Sequence, residues 1–168
     1  EKLLSDVPVG TFLSSGIDSS IITALASRQI KNLETFSVGF EKIKDPFHGM
    51  ADESELASEF AKFLGVKNYR IRLDENNVLN SLDIFSDNSD GPFGVSSGIG
   101  VLLIAKKAKE LGVKVLLSGD GADEYFGGYS WYSFLNNMDF NDKSENETFL
   151  TLNNFFQNDS EVIAKLNK

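Results

Sequence analysis

Short apolar runs alternate along this chain with segments whose apolar residues recur every three or four positions, the pattern of strands interleaved with helices. Val9 to Ser14 is a short apolar strand, and Ser19 to Gln29 has amphipathic-helix spacing through Ile21, Ile22, Leu25 and Ala26. Leu33 to Phe40 follows as a β-rich run (Phe36, Val38, Phe40), then a polar loop to Ala51. Glu53 to Leu64 predicts a helix with an apolar stripe of Leu56, Phe60, Phe63 and Leu64, and Gly65 suits the C′ position that ends it. Tyr69 to Leu73 alternates like a strand, Val78 to Phe85 reads as helical, Gly98 to Leu111 is a helix stopped by Gly112, and Val113 to Leu117 is a buried strand. The order β-α-β-α-β-α-α-β predicts an α/β fold: a doubly wound parallel sheet, with helices placed on both faces by right-handed crossovers.

From Gly127 onward the character changes. Tyr129, Trp131, Tyr132 and Phe134 cluster as aromatics expected to pack, and asparagine and acid then dominate through Asn167. The expected organisation is an α/β core over residues 1–132 and a partly helical extension over 133–168 (Thr148 to Phe156, Ser160 to Leu166) belonging to a longer domain. The opening at Glu1, with a strand a few residues later, also reads as a piece of something longer.

A length of 168 residues with 41% hydrophobic content suits one modest core. The absence of cysteine excludes a disulfide scaffold, a thiolate zinc site and a cysteine nucleophile, and agrees with a cytoplasmic setting. No apolar run approaches the roughly 18 residues of a membrane helix, and no signal peptide is recognisable. A net charge of −9 with no lysine- or arginine-rich stripe argues against a nucleic-acid surface. His48 has no partner at ligand spacing and reads as a surface residue, while Lys106, Lys107 and Lys109 fall near a helix C-terminus, where cations complement the dipole.

Two loops carry the candidate chemistry. Phe12-Leu13-Ser14-Ser15-Gly16-Ile17-Asp18-Ser19-Ser20 and Leu117-Ser118-Gly119-Asp120-Gly121-Ala122-Asp123-Glu124 each read as a strand breaking into a glycine-serine-acid loop. Such loops at the carboxyl ends of neighbouring parallel strands open onto one crevice. In the first, Ser15, Gly16 and the following helical turn can direct backbone N–H groups at a phosphate, and Ser14, Ser19 and Ser20 add hydroxyls. The Lys-Ser/Thr ending of a Walker A loop is absent. The bland alternative is that Asp18 or Ser19 merely caps a helix. In the second loop, Asp120, Asp123 and Glu124 would repel a polyphosphate unless a divalent cation intervened. Mg²⁺ takes one or two carboxylates plus phosphate oxygens, and Asp18 with Asp123 would supply that pair.

Ser14-Ser15-Gly16-Ile17-Asp18-Ser19 resembles the Ser-Gly-Gly-x-Asp-Ser signature of the PP-loop ATP pyrophosphatases. Asp6-Val7-Pro8-Val9-Gly10, Phe36-Ser37-Val38-Gly39, and Ser118 to Glu124 with Phe126-Gly127-Gly128-Tyr129 resemble the synthetase domain of glutamine-dependent asparagine synthetase, over roughly residues 5–132. The resemblance implies adenylation of the aspartate side-chain carboxylate by ATP with release of pyrophosphate, followed by displacement of AMP by ammonia. It further implies that Leu13 and Val38 hold adenine through backbone contacts, that Ser118 and Gly119 complete the nucleotide pocket, that Asp18 and Asp123 bind magnesium, and that Asp120, where relatives often have glutamate, serves the catalytic step. Ser15 stands where the signature has a second glycine, which matters only if that position needs positive φ. The family's N-terminal glutaminase domain begins with a cysteine, which this chain lacks. A phosphate-contacting lysine lies beyond a segment also missing here, so the chain can bind ATP without turning it over. Asp90, Ser96 and Ser97 are candidate acceptor contacts. The rival readings are a ligase of the same fold acting on another carboxylate, such as a sugar acid, and a non-catalytic nucleotide-binding module.

Overall fold

The structure, a computed structural model, describes residues 3–40, 54–91, 97–129 and 132. His48, Ser96, Trp131, Phe134 and the extension expected over 133–168 lie outside the described residues. The chain forms two compact units, Glu1–Ala122 and Asp123–Lys168.

In the first unit, β1 (Val9–Phe12), β2 (Glu34–Phe40), β3 (Lys67–Leu73) and β4 (Val115–Leu117) form a four-stranded sheet in the order β3-β2-β1-β4, with every pairing parallel. Helices α1 (Ile17–Ser27), α2 (Ser54–Leu64), α3 (Glu75–Asp87) and α4 (Ser97–Glu110) connect them. Parallel strands need such crossovers, and the expected doubly wound architecture is present. The sheet grows from β1 outward to β2 and β3, then returns to place β4 on the other side of β1.

The two faces of the sheet differ in chemistry. On one, Phe36, Ile104, Ala108 and Val113 form a buried cluster against which Phe12, Val38, Tyr69, Ile71 and Leu116 pack. On the face covered by α1 and α2 the layer is rich in hydroxyls. Thr11 bonds Thr23 at 2.9 Å, Thr35 donates to the Asn68 Oδ1 at 2.9 Å, and the Asn68 side-chain NH2 donates to Ser37 and Ser58, each at 3.0 Å. Buried hydroxyls without partners would be costly, and among the described residues no buried side-chain polar atom is unpaired.

That polar layer departs from the expected helix faces in part: Ala26 of the α1 stripe is buried and Phe60 of the α2 stripe packs on Leu13, Ala57 and Ala61, but other members of both stripes point outward. Helix α2 buries Ser54, Ala57 and Ala61, whereas Leu56 is 59% and Phe63 83% exposed. Small side chains let α2 lie close to the sheet: a Cβ on Gly39 would come within 2.6 Å of the Ser54 Oγ. Helix α1 buries Ser19, Thr23 and Ala26 and turns Ile17, Ile21 and Leu25 outward.

Helix α3 starts at Asp74, whose carboxylate accepts from the Asn77 N–H at 2.8 Å. Asp74→Ala is expected to cost about 1 kcal/mol, the usual value of an N-cap. Urea unfolding followed by circular dichroism measures it, and an unchanged midpoint would show that the cap contributes nothing.

Candidate nucleotide site

Strand order defines where a ligand belongs. β1 has β2 on one side and β4 on the other, so the connections leaving β1 and arriving at β4 diverge, and a crevice opens over the carboxyl ends of these two strands. The residues after β1 are Leu13 to Gly16, and those after β4 are Ser118 to Gly121. The first loop and the Ser118–Gly121 part of the second therefore meet at the switch point within the first unit.

The loop after β1 is tied to itself. Leu13, 2% exposed, donates its N–H to the Phe36 carbonyl at 2.8 Å and packs with Ala57 and Ala61. The Ser14 N–H donates to the Ser19 Oγ at 3.1 Å, and the two hydroxyls lie 2.8 Å apart. The Gly16 N–H donates to the Ser14 Oγ at 3.1 Å. Gly16, not Asp18 or Ser19, is the N-cap of α1, and it offers no side-chain bond to the helix start. Orphan N–H groups of that first turn are thereby left for a ligand. Asp18 sits half-buried in the same turn, where the helix dipole favours an anion. No described non-glycine residue has positive φ, so serine at position 15 carries no backbone strain.

The loop after β4 closes against that turn. A Cβ on Gly119 would lie 2.8 Å from both the Asp18 Cβ and the Ser19 backbone nitrogen, so only glycine permits this approach. The Ser118 hydroxyl donates to the Asp120 carboxylate at 3.0 Å, anchoring an otherwise exposed acid. Gly121, at φ 88°, makes the turn that leads into α5 (Ala122–Phe126), a short helix that sequence periodicity does not reveal. Val38 lies near the end of β2 and packs toward Gly100.

Asp123 belongs to the second unit. There the Gly128 N–H donates to the Asp123 carbonyl at 3.0 Å, and a Cβ on Gly128 would collide with the Asp123 carboxylate. The Tyr129 hydroxyl donates to Glu124 at 2.8 Å; this bond is the main cause of a tyrosine pKa pushed up to about 12. The Tyr129 and Tyr132 rings stack with centroids 6.1 Å apart.

Among the described residues no group of three His, Cys, Asp or Glu could hold a metal. A magnesium ion shared with phosphate oxygens needs only one or two carboxylates. A separate cavity of about 430 Å³, lined by Tyr69, Ile71, Leu103, Lys106 and Lys107 among others, runs along β3, two strands away from β1. Lys107 is paired there with Glu110 at 3.1 Å. Asp90 and Ser97 are exposed.

An open parallel α/β sheet with a glycine-serine loop at its switch point is an architecture suited to binding a nucleotide. The asparagine synthase family model matches residues 1–166, and the chain belongs to that family. It is 43% identical over 128 residues to asparagine synthetase [glutamine-hydrolyzing] 1 of Bacillus subtilis (strain 168), covering 76% of this chain and 19% of that protein. Over 141 residues it is 35% identical to the putative asparagine synthetase [glutamine-hydrolyzing] 2 of Methanocaldococcus jannaschii, covering 83% of this chain and 26% of that one. Amidase chry2 of Gibberella zeae is 32% identical over 142 residues, covering 76% of this chain and 20% of the amidase. The chain thus spans between 19% and 26% of the length of these relatives. Among solved structures, an NH3-dependent NAD synthetase from Campylobacter jejuni superposes with a TM-score of 0.49 at 21% identity, covering 76% of this chain and 53% of that one. Among the described residues no helix is long and apolar enough to cross a membrane.

Proposed function

We propose that this chain is the nucleotide-binding part of an ATP-dependent amide-forming ligase, in which the side-chain carboxylate of aspartate is adenylated and ammonia then yields asparagine. The observation that carries the reading is the closure of the β4 loop onto the β1 loop through Gly119 at the switch point.

Each residue's role follows from its chemistry. The Ser15 N–H and the N–H groups of the first turn of α1 face the polyphosphate, with the Ser14 and Ser15 hydroxyls beside them, while the Gly16 N–H is committed to the Ser14 Oγ. Leu13 has committed its N–H to Phe36, so its contact with adenine is through its carbonyl; Val38 contributes backbone, and Ser118 and Gly119 wall the pocket. Asp18 would be one carboxylate on a magnesium ion that offsets phosphate charge. Asp120, held by Ser118, is the acid that orients the acceptor or the departing pyrophosphate.

A carboxylate oxygen of aspartate attacks the α-phosphorus, the bond to the β-phosphate oxygen breaks, and pyrophosphate leaves. Ammonia then attacks the acyl carbon, AMP departs with the bonding pair, and the nitrogen loses a proton to give the amide. Positioning and charge stabilisation are what such a sequence requires, and no enzyme nucleophile is needed. Ammonia would come from a glutaminase domain elsewhere in the longer protein, since this chain has no cysteine. The likeness to a fungal amidase favours a second reading, in which the same chemistry serves a different carboxylate.

Exchange of labelled pyrophosphate into ATP tests both. In the intact protein with magnesium, exchange should depend on L-aspartate. Exchange supported only by another carboxylate would transfer the reading to that acceptor, and no exchange with any carboxylate would sink the ligase assignment.

A further inference from the structure

Strand β3 is the edge of the sheet: among the described residues its one strand neighbour is β2. Successive residues of a strand turn their backbone groups to opposite sides, so bonds already made show which groups face outward. The Lys67 carbonyl faces β2, since it accepts the Thr35 hydroxyl at 3.1 Å. The Arg72 carbonyl faces away, since it accepts the Asn77 side-chain amide at 3.0 Å. Asn68 and Arg70 alternate in step with Arg72 and direct their backbone to the outer edge.

The cavity of about 430 Å³ lies against that edge, from Asn68 to Arg72. Those residues span about 13 Å of strand at the usual rise. Tyr69, Ile71 and Leu103 supply its apolar lining, and Leu103, Lys106, Lys107 and Glu110 are spaced as one face of α4. Lys107 is paired with Glu110, whereas Lys106 is exposed and in no ion pair among the described residues. On the other face of β3, Arg70 lies 3.9 Å from Glu55 of α2. Arg70, Arg72, Lys106 and Lys107 thus line the groove against a single acid, Glu110, in a chain of net charge −9. Charges on an edge strand commonly prevent pairing. On β3 every charge is basic, which disfavours a second copy of the same edge, because like charges would stand opposite one another, and favours an acidic strand.

We propose that the outer edge of β3 docks an extended segment of a partner protein in which acidic and apolar residues alternate, added to the sheet as a further strand. Its apolar side chains enter the cavity beside Tyr69, Ile71 and Leu103, and its acidic ones lie on the other face with Arg70 and Arg72. Main-chain bonds give such additions affinity, and pockets for alternate side chains give selectivity. Asn77 occupies the Arg72 carbonyl and ends the ladder there, which suits a short segment of about four to six residues. This edge lies two strands from β1, and its role is independent of the nucleotide reading.

Fluorescence anisotropy of the intact protein with a labelled Val-Glu-Val-Glu-Val-Glu peptide tests the docking edge. Binding should saturate, and a Val-Lys-Val-Lys-Val-Lys peptide should bind at least about tenfold more weakly. In an added strand only alternate N–H groups reach β3, so N-methylation of one alternate set should weaken binding at least about tenfold and of the other set hardly at all. Lys106→Glu should weaken binding about fivefold, and Lys31→Glu, an exposed cation outside the groove, less than about twofold.

Absence of saturable binding would overturn the proposal, and is the result expected if another part of the longer protein or a second copy covers the edge. Equal binding of the lysine peptide would overturn the charge selection. Equal effects of the two methylated sets would overturn strand addition. Equal losses for Lys106→Glu and Lys31→Glu would place the peptide elsewhere. The peptide comparisons use the unsubstituted protein and decide the matter even if Lys106→Glu folds poorly.

Discussion

Gly119→Ala is expected to weaken magnesium-ATP binding at least about tenfold and to cost the fold about 1–3 kcal/mol, the range for an added methyl that finds no room. The new Cβ would sit 2.8 Å from the Asp18 Cβ and the Ser19 nitrogen and 3.0 Å from the Asp18 carbonyl carbon. None of these is the end of a flexible side chain. Relief therefore requires the β4 loop to withdraw from the first turn of α1, which opens the crevice where the nucleotide is proposed to bind. Calorimetric titration with magnesium-ATP reads the first effect and a urea midpoint the second. Gly91→Ala is the control, since no atom of the described residues lies within 4 Å of a Cβ there, and it should leave both values unchanged. If Gly119→Ala binds ATP as the parent does, the two loops do not need their close approach.

Phe36→Ala is expected to cost about 3–5 kcal/mol, the range for deleting a buried phenylalanine ring. Phe36 is 0% exposed, central in the sheet, and stacked on Tyr69 with ring centroids 5.4 Å apart. It joins Ile104, Ala108 and Val113 on the apolar face, where no polar network substitutes for lost packing. Its carbonyl also anchors the Leu13 N–H at the start of the β1 loop, so sagging of β2 into the cavity would be transmitted to the site. Phe36→Leu keeps most of the volume and should lose about 1–2 kcal/mol. Urea unfolding compares the two, and similar losses for both would show that ring volume is not what holds this face. Since domains of this size are stable by only about 5–15 kcal/mol, the alanine variant should be near the edge of folding.

Much of the candidate site was legible as local structure because its residues are close in sequence. Strand, turn and helix around Ser14 to Ser19 are contiguous, and the acid-glycine turn after Leu117 follows a short apolar strand directly. The parallel sheet also follows from element order, given right-handed crossovers. Helix faces were less legible. The apolar stripe of α2 predicts Leu56 and Phe63 inside, yet both are exposed and Ala57 and Ala61 are buried. Helix α5 escaped because five residues are too few to show a period.

The sequence by itself determined the alternation of strands and helices, the two loops proposed to carry the chemistry, and the glycines on which turns depend, because each is written in neighbouring residues. Only the tertiary structure decided that β1 and β4 are adjacent, that Gly119 touches the α1 turn, and that the Ser19 hydroxyl bonds Ser14 within the loop. It also decided which side of α1 and α2 faces inward. Periodicity locates an apolar stripe but not its destination, and here the layer beneath these helices includes Thr11, Thr35, Ser37 and Asn68 beside Leu13. Hydroxyl and amide partners across that layer satisfy one another at close range, so small and polar helix faces pack there better than leucine or phenylalanine.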